Sequence, residues 1–111
     1  MARIVMVAYR PFDQKREAVL GLLREQHLLV RRLGLMGGRH PWLMEGVNGE
    51  IVYIAAFNDA RQVDQCWENE DFQDLDSRLA QVAHMIPLRN LQEASSSYVD
   101  MAALATEPPE T

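Results

Sequence analysis

Cysteine is nearly absent: the chain has one, Cys66, in 111 residues. A lone thiol excludes an internal disulfide and sets no metal-site spacing, and it fits a reducing compartment. Histidine is also scarce. His27, His40 and His84 are scattered, with no carboxylates at ligand spacing beside them, so no metal is expected. Positive charge is in deficit, eleven basic residues against sixteen acidic ones, for a net charge of −5. Such a balance argues against nucleic acid or an anionic membrane as the main partner. No apolar run is long enough to span a bilayer. The first strand pattern begins too early to leave room for a signal peptide's apolar core, so the expected location is the cytoplasm. No internal repeat of array period appears. Gly37-Gly38-Arg39 lacks the longer phosphate-cradling pattern and reads as a connector, and no cofactor is expected.

Apolar side chains, at 48%, are plentiful for a single domain of this length. Two runs, Ile4–Tyr9 and Ile51–Phe57, are apolar on both alternating faces. A half-buried strand alternates apolar with polar; a strand apolar throughout needs cover on two sides. The helical patterns suffice for one side. A second copy of the chain is the expected cover for the other. About six aliphatic side chains would lie on that face, and exposing them forfeits on the order of 9–18 kcal/mol.

In chain order the pattern is strand, helix, strand, strand, helix, strand, tail. Arg3–Tyr9 is the first strand. Asp13 stands as N-cap of a helix over about Gln14–Leu33, with a stripe of Val19, Leu22, Leu23, Val30 and Leu33 and a C-terminal Gly34. The second strand is about Trp42–Val47, and Asn48-Gly49 turns it into a third, Glu50–Phe57. Asp59 and Gln62 form a capping pair that opens the second helix. That helix carries one stripe of Val63, Cys66 and Trp67 and another from Phe72 to Ile86, which predicts a break near Asn69-Glu70-Asp71. Pro87 closes it. A polar fourth strand is expected over about Arg89–Tyr98, and a disordered tail over 102–111 beyond a folded domain of 1–101.

The expected fold class is α+β: a ferredoxin-like β-α-β-β-α-β chain, with a four-stranded antiparallel sheet and two helices on one face. This order, the short hairpin, the Trp67 helix and the polar last strand resemble the dimeric α+β barrel superfamily, in particular its antibiotic-biosynthesis-monooxygenase type. The resemblance covers about Arg3 to Met101. It implies that two sheets face each other across a two-fold axis as a homodimer, and that a small apolar or aromatic molecule is held between helices and sheet. Haem-degrading relatives use an Asn on the first strand with a Trp and a His on the second helix. Here Trp67 and His84 are too far apart, and the first strand offers Met6, Ala8 and Tyr9, so haem is not expected.

Gln26 falls in the middle of the first helix's apolar stripe and should point at the sheet, where a polar group would orient an apolar ligand. Tyr9, Tyr53, Trp67 and Trp42 are the other candidate binding residues. His84, His27 and Glu93 are the candidate acid–base groups. The implied activities are cofactor-independent monooxygenation of an aromatic or quinol-like substrate, an isomerase or dehydratase reaction, or binding of a ligand or partner without chemistry.

Overall fold

A computed structural model of the chain describes residues 3–35, 42–95, 97 and 100–104. Its strands are β1 (Arg3–Pro11), β2 (Trp42–Glu45), β3 (Ile51–Phe57), β4 (Ala83–Ile86) and β5 (Ala102–Leu104). Its α-helices are α1 (Arg16–Arg32), α2 (Ala60–Glu68) and α3 (Glu70–Ala80). The strands form one antiparallel sheet in the order β4-β1-β3-β2-β5. The two most apolar strands, β1 and β3, lie side by side, registered from Arg3 opposite Phe57 to Tyr9 opposite Ile51. Directly opposed residues share a face. Val5, Val7, Tyr9, Ile51, Tyr53 and Ala55 therefore look one way, and Ile4, Met6, Ala8, Val52, Ile54 and Ala56 the other.

The first face carries the helices. Val19 and Leu23 of α1, Leu79 of α3 and Ile51 of β3 are among the most buried side chains. Helix α1 begins later than Asp13 predicted. Gln14 takes a φ of 63°, which sets Asp13 apart from the helix, and the cap position falls to Lys15 without a side-chain bond. The helix start is tied to the sheet instead. Arg16 donates from Nε and Nη2 to the two carboxylate oxygens of Glu45, at 3.0 and 3.1 Å. The other end follows expectation: Gly34, at φ 71°, donates to the Arg31 carbonyl and Leu35 to that of Val30, the paired bonds of a Schellman cap.

The capping pair also forms. Asp59 accepts from the Gln62 amide at 2.9 Å, and the Gln62 side chain accepts from the Asn58 amide at 2.8 Å. The expected break is complete, because Asn69 leaves helical geometry and caps α3 by accepting from the Phe72 amide at 3.0 Å. The Asn48-Gly49 hairpin is present, with Gly49 alone of the pair at positive φ, 85°.

The C-terminal third departs from expectation. Four strands were predicted and five are found among the described residues. The last helix stops at Ala80, and Ala83–Ile86 pairs with Ala8–Pro11 as β4. Ile86 precedes Pro87, a position that disfavours helix, and a strand there gains a full ladder on β1. Of the strand predicted over Arg89–Tyr98, the part up to Ser95 lies instead in two single-turn 3-10 helices, Leu88–Asn90 and Gln92–Ser95, and Ser96 and Tyr98 lie outside the described residues. Ala102–Leu104, at the start of the expected disordered tail, pairs with Leu43–Glu45. The rest of that tail, 105–111, lies outside the described residues, as do Gly37-Gly38-Arg39 and His40.

The segment between β4 and β5 crosses the second face of the sheet. Leu91 is buried there against Ala8 and Val52, and Met101 packs beside them with Met44, Ile54 and Ile86. The chain thus covers part of its own second face. Ile4 and Met6 stay outside that cover, 63% and 45% exposed. Among the described residues, no helix is long and apolar enough to cross a membrane.

Candidate ligand cavity

A cavity of about 30 Å³ lies between the helices and the first face of the sheet. Val5, Val7 and Tyr9 of β1 and Tyr53, Ala55 and Phe57 of β3 form its floor. Gln26 and Val30 of α1, Cys66 and Trp67 of α2 and Phe72 of α3 form its walls and roof. The volume holds a water molecule, not a drug-sized ligand, so anything larger needs a wall to move. The wall most open to that is Trp67. Its side chain is 43% exposed, and its ring meets Phe72 edge-on, with centroids 5.2 Å apart at 87°. The two aromatic residues sit on either side of the Asn69 break, on separate helices.

Gln26 is in the cavity because helical spacing puts it there, on the same stripe as Leu22, Leu23 and Val30. It is 3% exposed, and its Nε2 has no hydrogen-bond partner among the described residues. Leaving such a donor unmade costs about 1–3 kcal/mol. Burial is the largest cause holding the Tyr9 hydroxyl well above its ordinary pKa, helped by the negative charge of Asp76 and by Tyr53. Tyr53 is raised in the same way, by burial first and Cys66 second. Burial pushes the Cys66 thiol up to about 11. At neutral pH both hydroxyls and the thiol keep their protons, and none of the lining side chains is charged.

Gln26, Tyr9, Tyr53 and Trp67, four of the five residues singled out for binding, thus line one cavity. The fifth, Trp42, is placed on β2 opposite Ile54, and its side chain lies outside the described residues. The three candidate acid–base groups do not line the cavity. His27 is buried on α1, one residue on from Gln26 and so about 100° around the helix. His84 is on β4, opposite Arg10, with its ring edge-on to Phe12 at 4.6 Å. It borders a second hollow of about 210 Å³ with Asp76, Leu79 and Met85; Tyr9 borders both hollows and forms the wall between them. Burial also raises the Asp76 carboxyl above its ordinary value.

Glu93 belongs to the other side of the sheet. It sits on the second 3-10 turn and accepts from the Val47 amide at 2.7 Å, fastening the crossing segment to the β2–β3 hairpin. Asn48 and Gln92 add a second tie at 3.2 Å. Sequence reasoning missed Glu50 here. It is 1% exposed, and its partner is Arg10, at 3.5 Å from Oε2. Its only signal was position: Glu50 shares the parity of Val52 and Ile54, so strand alternation sends it to the same face. Gly46 makes room for both carboxylates. A Cβ there would stand 3.0 Å from Glu50 Oε1 and 3.2 Å from Glu93 Oε2.

Among the described residues no group of three or more His, Cys, Asp or Glu side chains could hold a metal. Comparison with protein-family models, with curated proteins and with solved structures found no match to this chain.

Proposed function

We propose that the protein is a small-molecule-binding homodimer of the ferredoxin-like, dimeric α+β barrel kind, which holds an apolar or aromatic molecule between its helices and its sheet. The observation that carries this reading is the cavity: interior, uncharged, walled by aromatic side chains and furnished with a few polar atoms. The strand order β4-β1-β3-β2 supports the fold assignment, with β5 as an added edge strand. Exposed Ile4 and Met6 on the second sheet face support association through that face. The lone, buried thiol is in keeping with a cytoplasmic setting.

Binding is favoured over chemistry for a physical reason. Cofactor-independent monooxygenation, isomerisation and dehydration all call for a group that gives or takes a proton near neutral pH. The cavity lining offers amide, indole, protonated hydroxyl and protonated thiol groups, and His84, His27 and Glu93 stand elsewhere. Native mass spectrometry of freshly purified protein tests the reading. A dimer that retains an organic molecule is expected; a ligand-free monomer that binds none of a panel of aromatic compounds would end it. An oxygenated product formed from quinol-like substrates in air but not anaerobically, and lost when the cavity lining is changed, would turn the binder into a monooxygenase using this same cavity.

A further inference from the structure

The cavity holds one polar atom whose need is unmet. Gln26 Nε2 is a hydrogen-bond donor, buried with its side chain and without a partner among the described residues. Tyr9 and Tyr53 line the same space and keep their hydroxyl protons, so neither presents a charge to a ligand. A charged ligand would lose its hydration here and find no counter-ion among the lining residues. A hydrocarbon would fill the space and leave the Gln26 donor as it is.

We infer, resting on the reading of this cavity as a ligand site, that its occupant is an uncharged molecule bearing a hydrogen-bond acceptor, which accepts from Gln26 Nε2. A carbonyl oxygen, an ether oxygen or an unprotonated ring nitrogen meets that need equally. The apolar remainder of the molecule lies against Val5, Val7, Ala55 and Phe57. Since the resting space has room for no more than a water molecule, the ligand takes its place by displacing the Trp67 indole from the edge of Phe72.

Three small probes of similar shape separate the requirements. Acetophenone is neutral with an acceptor, α-methylstyrene replaces the carbonyl oxygen with a methylene, and benzoate is an anion. Each is titrated into the full chain and followed by the amide and side-chain NH2 resonances in NMR spectra. Both neutral probes are expected to bind, with benzoate at least about tenfold weaker than acetophenone. Either ring should move the Gln26 side-chain resonances, but acetophenone alone should add the downfield shift of a hydrogen-bonded NH2 proton. α-Methylstyrene is the less hydrated probe and starts with an advantage in water, so the decisive comparison is between proteins. Gln26→Leu is expected to weaken acetophenone relative to α-methylstyrene by about tenfold.

If neither neutral probe binds, the cavity is not a ligand site, and the inference falls with that reading. If both bind but Gln26→Leu leaves their ratio unchanged, the ligand site stands and the inference alone is wrong. Benzoate binding as tightly as acetophenone would overturn the requirement for a neutral ligand. Should Gln26→Leu not fold, the Gln26 resonances of the unsubstituted protein decide: no selective response to acetophenone overturns the assignment.

Discussion

Strands β1 and β3 send alternate side chains to two faces of one sheet, and those faces are finished in different ways. Three helices cover the first, and their stripes bury Val19, Leu23 and Leu79 against Ile51 and its neighbours. One irregular segment crosses the second, where Leu91 is, among its described residues, the single buried side chain and Met101 a half-buried one. The first face has cover enough to enclose a cavity. The second has cover only in part, and leaves Ile4 and Met6 open beside it. Nearly the same strand chemistry thus meets two ends: one face makes the core, and the other stays partly open.

The largest test of that contrast is to cut each cover in turn. Leu23→Ala removes a side chain 1% exposed from the helical side and should cost about 3–5 kcal/mol, read by denaturant unfolding. Leu91→Ala, under the thinner cover, should fall near 2 kcal/mol, the low end for such changes. Equal losses would mean that the crossing segment is as integral as the helices. Association comes next. Met6→Glu places a charge in the bare patch, and a dimer built there should weaken about ten- to a hundredfold by sedimentation, while the unfolding midpoint stays the same at dilutions where both proteins are monomeric. A dimer indifferent to Met6→Glu would use another surface.

The same contrast explains which parts of the fold the sequence disclosed. Signals carried by a few neighbouring residues survived: Asn48-Gly49 turned the hairpin, Asp59 with Gln62 opened α2, Gly34 closed α1 and Asn69 split the last helix. Each is local chemistry, where one side chain or one φ settles the matter. The Val82–Ile86 stretch failed because its apolar residues fit a helix as well as a strand, and partner β1 lies about seventy residues upstream, beyond any local window. Ala102–Leu104 failed because three residues, two of them alanine, are too few to show a period. Gln26 was readable in the helical stripe, and Tyr9, Tyr53 and Trp67 as aromatics on apolar strands and an apolar helix stripe. That these four converge while His84, His27 and Glu93 scatter is tertiary information. No spacing in the sequence encodes it.

Two smaller tests sharpen the comparison. Gly46→Ala pushes a methyl between Glu50 and Glu93 on the second face, and overpacking of this kind costs about 1–3 kcal/mol. It should also loosen the crossing segment, seen as faster amide exchange at Val47. On the first face the probe is alkali. Cys66 keeps its proton to about pH 11 when folded, whereas its ordinary value is 9.0, so the folded state binds that proton more tightly than the unfolded chain does. The stabilisation is complete below pH 9 and is lost as pH rises through the folded value; Tyr9 and Tyr53, also raised, extend the loss upward. Unfolding midpoints should therefore decline from about pH 9, and less steeply in Cys66→Ala.

The smallest effect falls on the seam of the cavity roof. Asn69 caps α3 through the Phe72 amide, and Gln73 reaches back to the Trp67 carbonyl at 2.9 Å, so the two aromatic roof residues are held by one short junction. Asn69→Ala removes the cap and should cost about 1 kcal/mol. That alone would be an ordinary capping loss. A junction that also holds the roof predicts a second change, since freeing α3's first turn lets Phe72 and Trp67 part more readily. Probe molecules should then associate faster with Asn69→Ala, with a smaller change in final affinity, in stopped-flow fluorescence of the tryptophans. A capping loss with unaltered association would separate the helix break from access to the cavity, and leave Trp67 as wall rather than door.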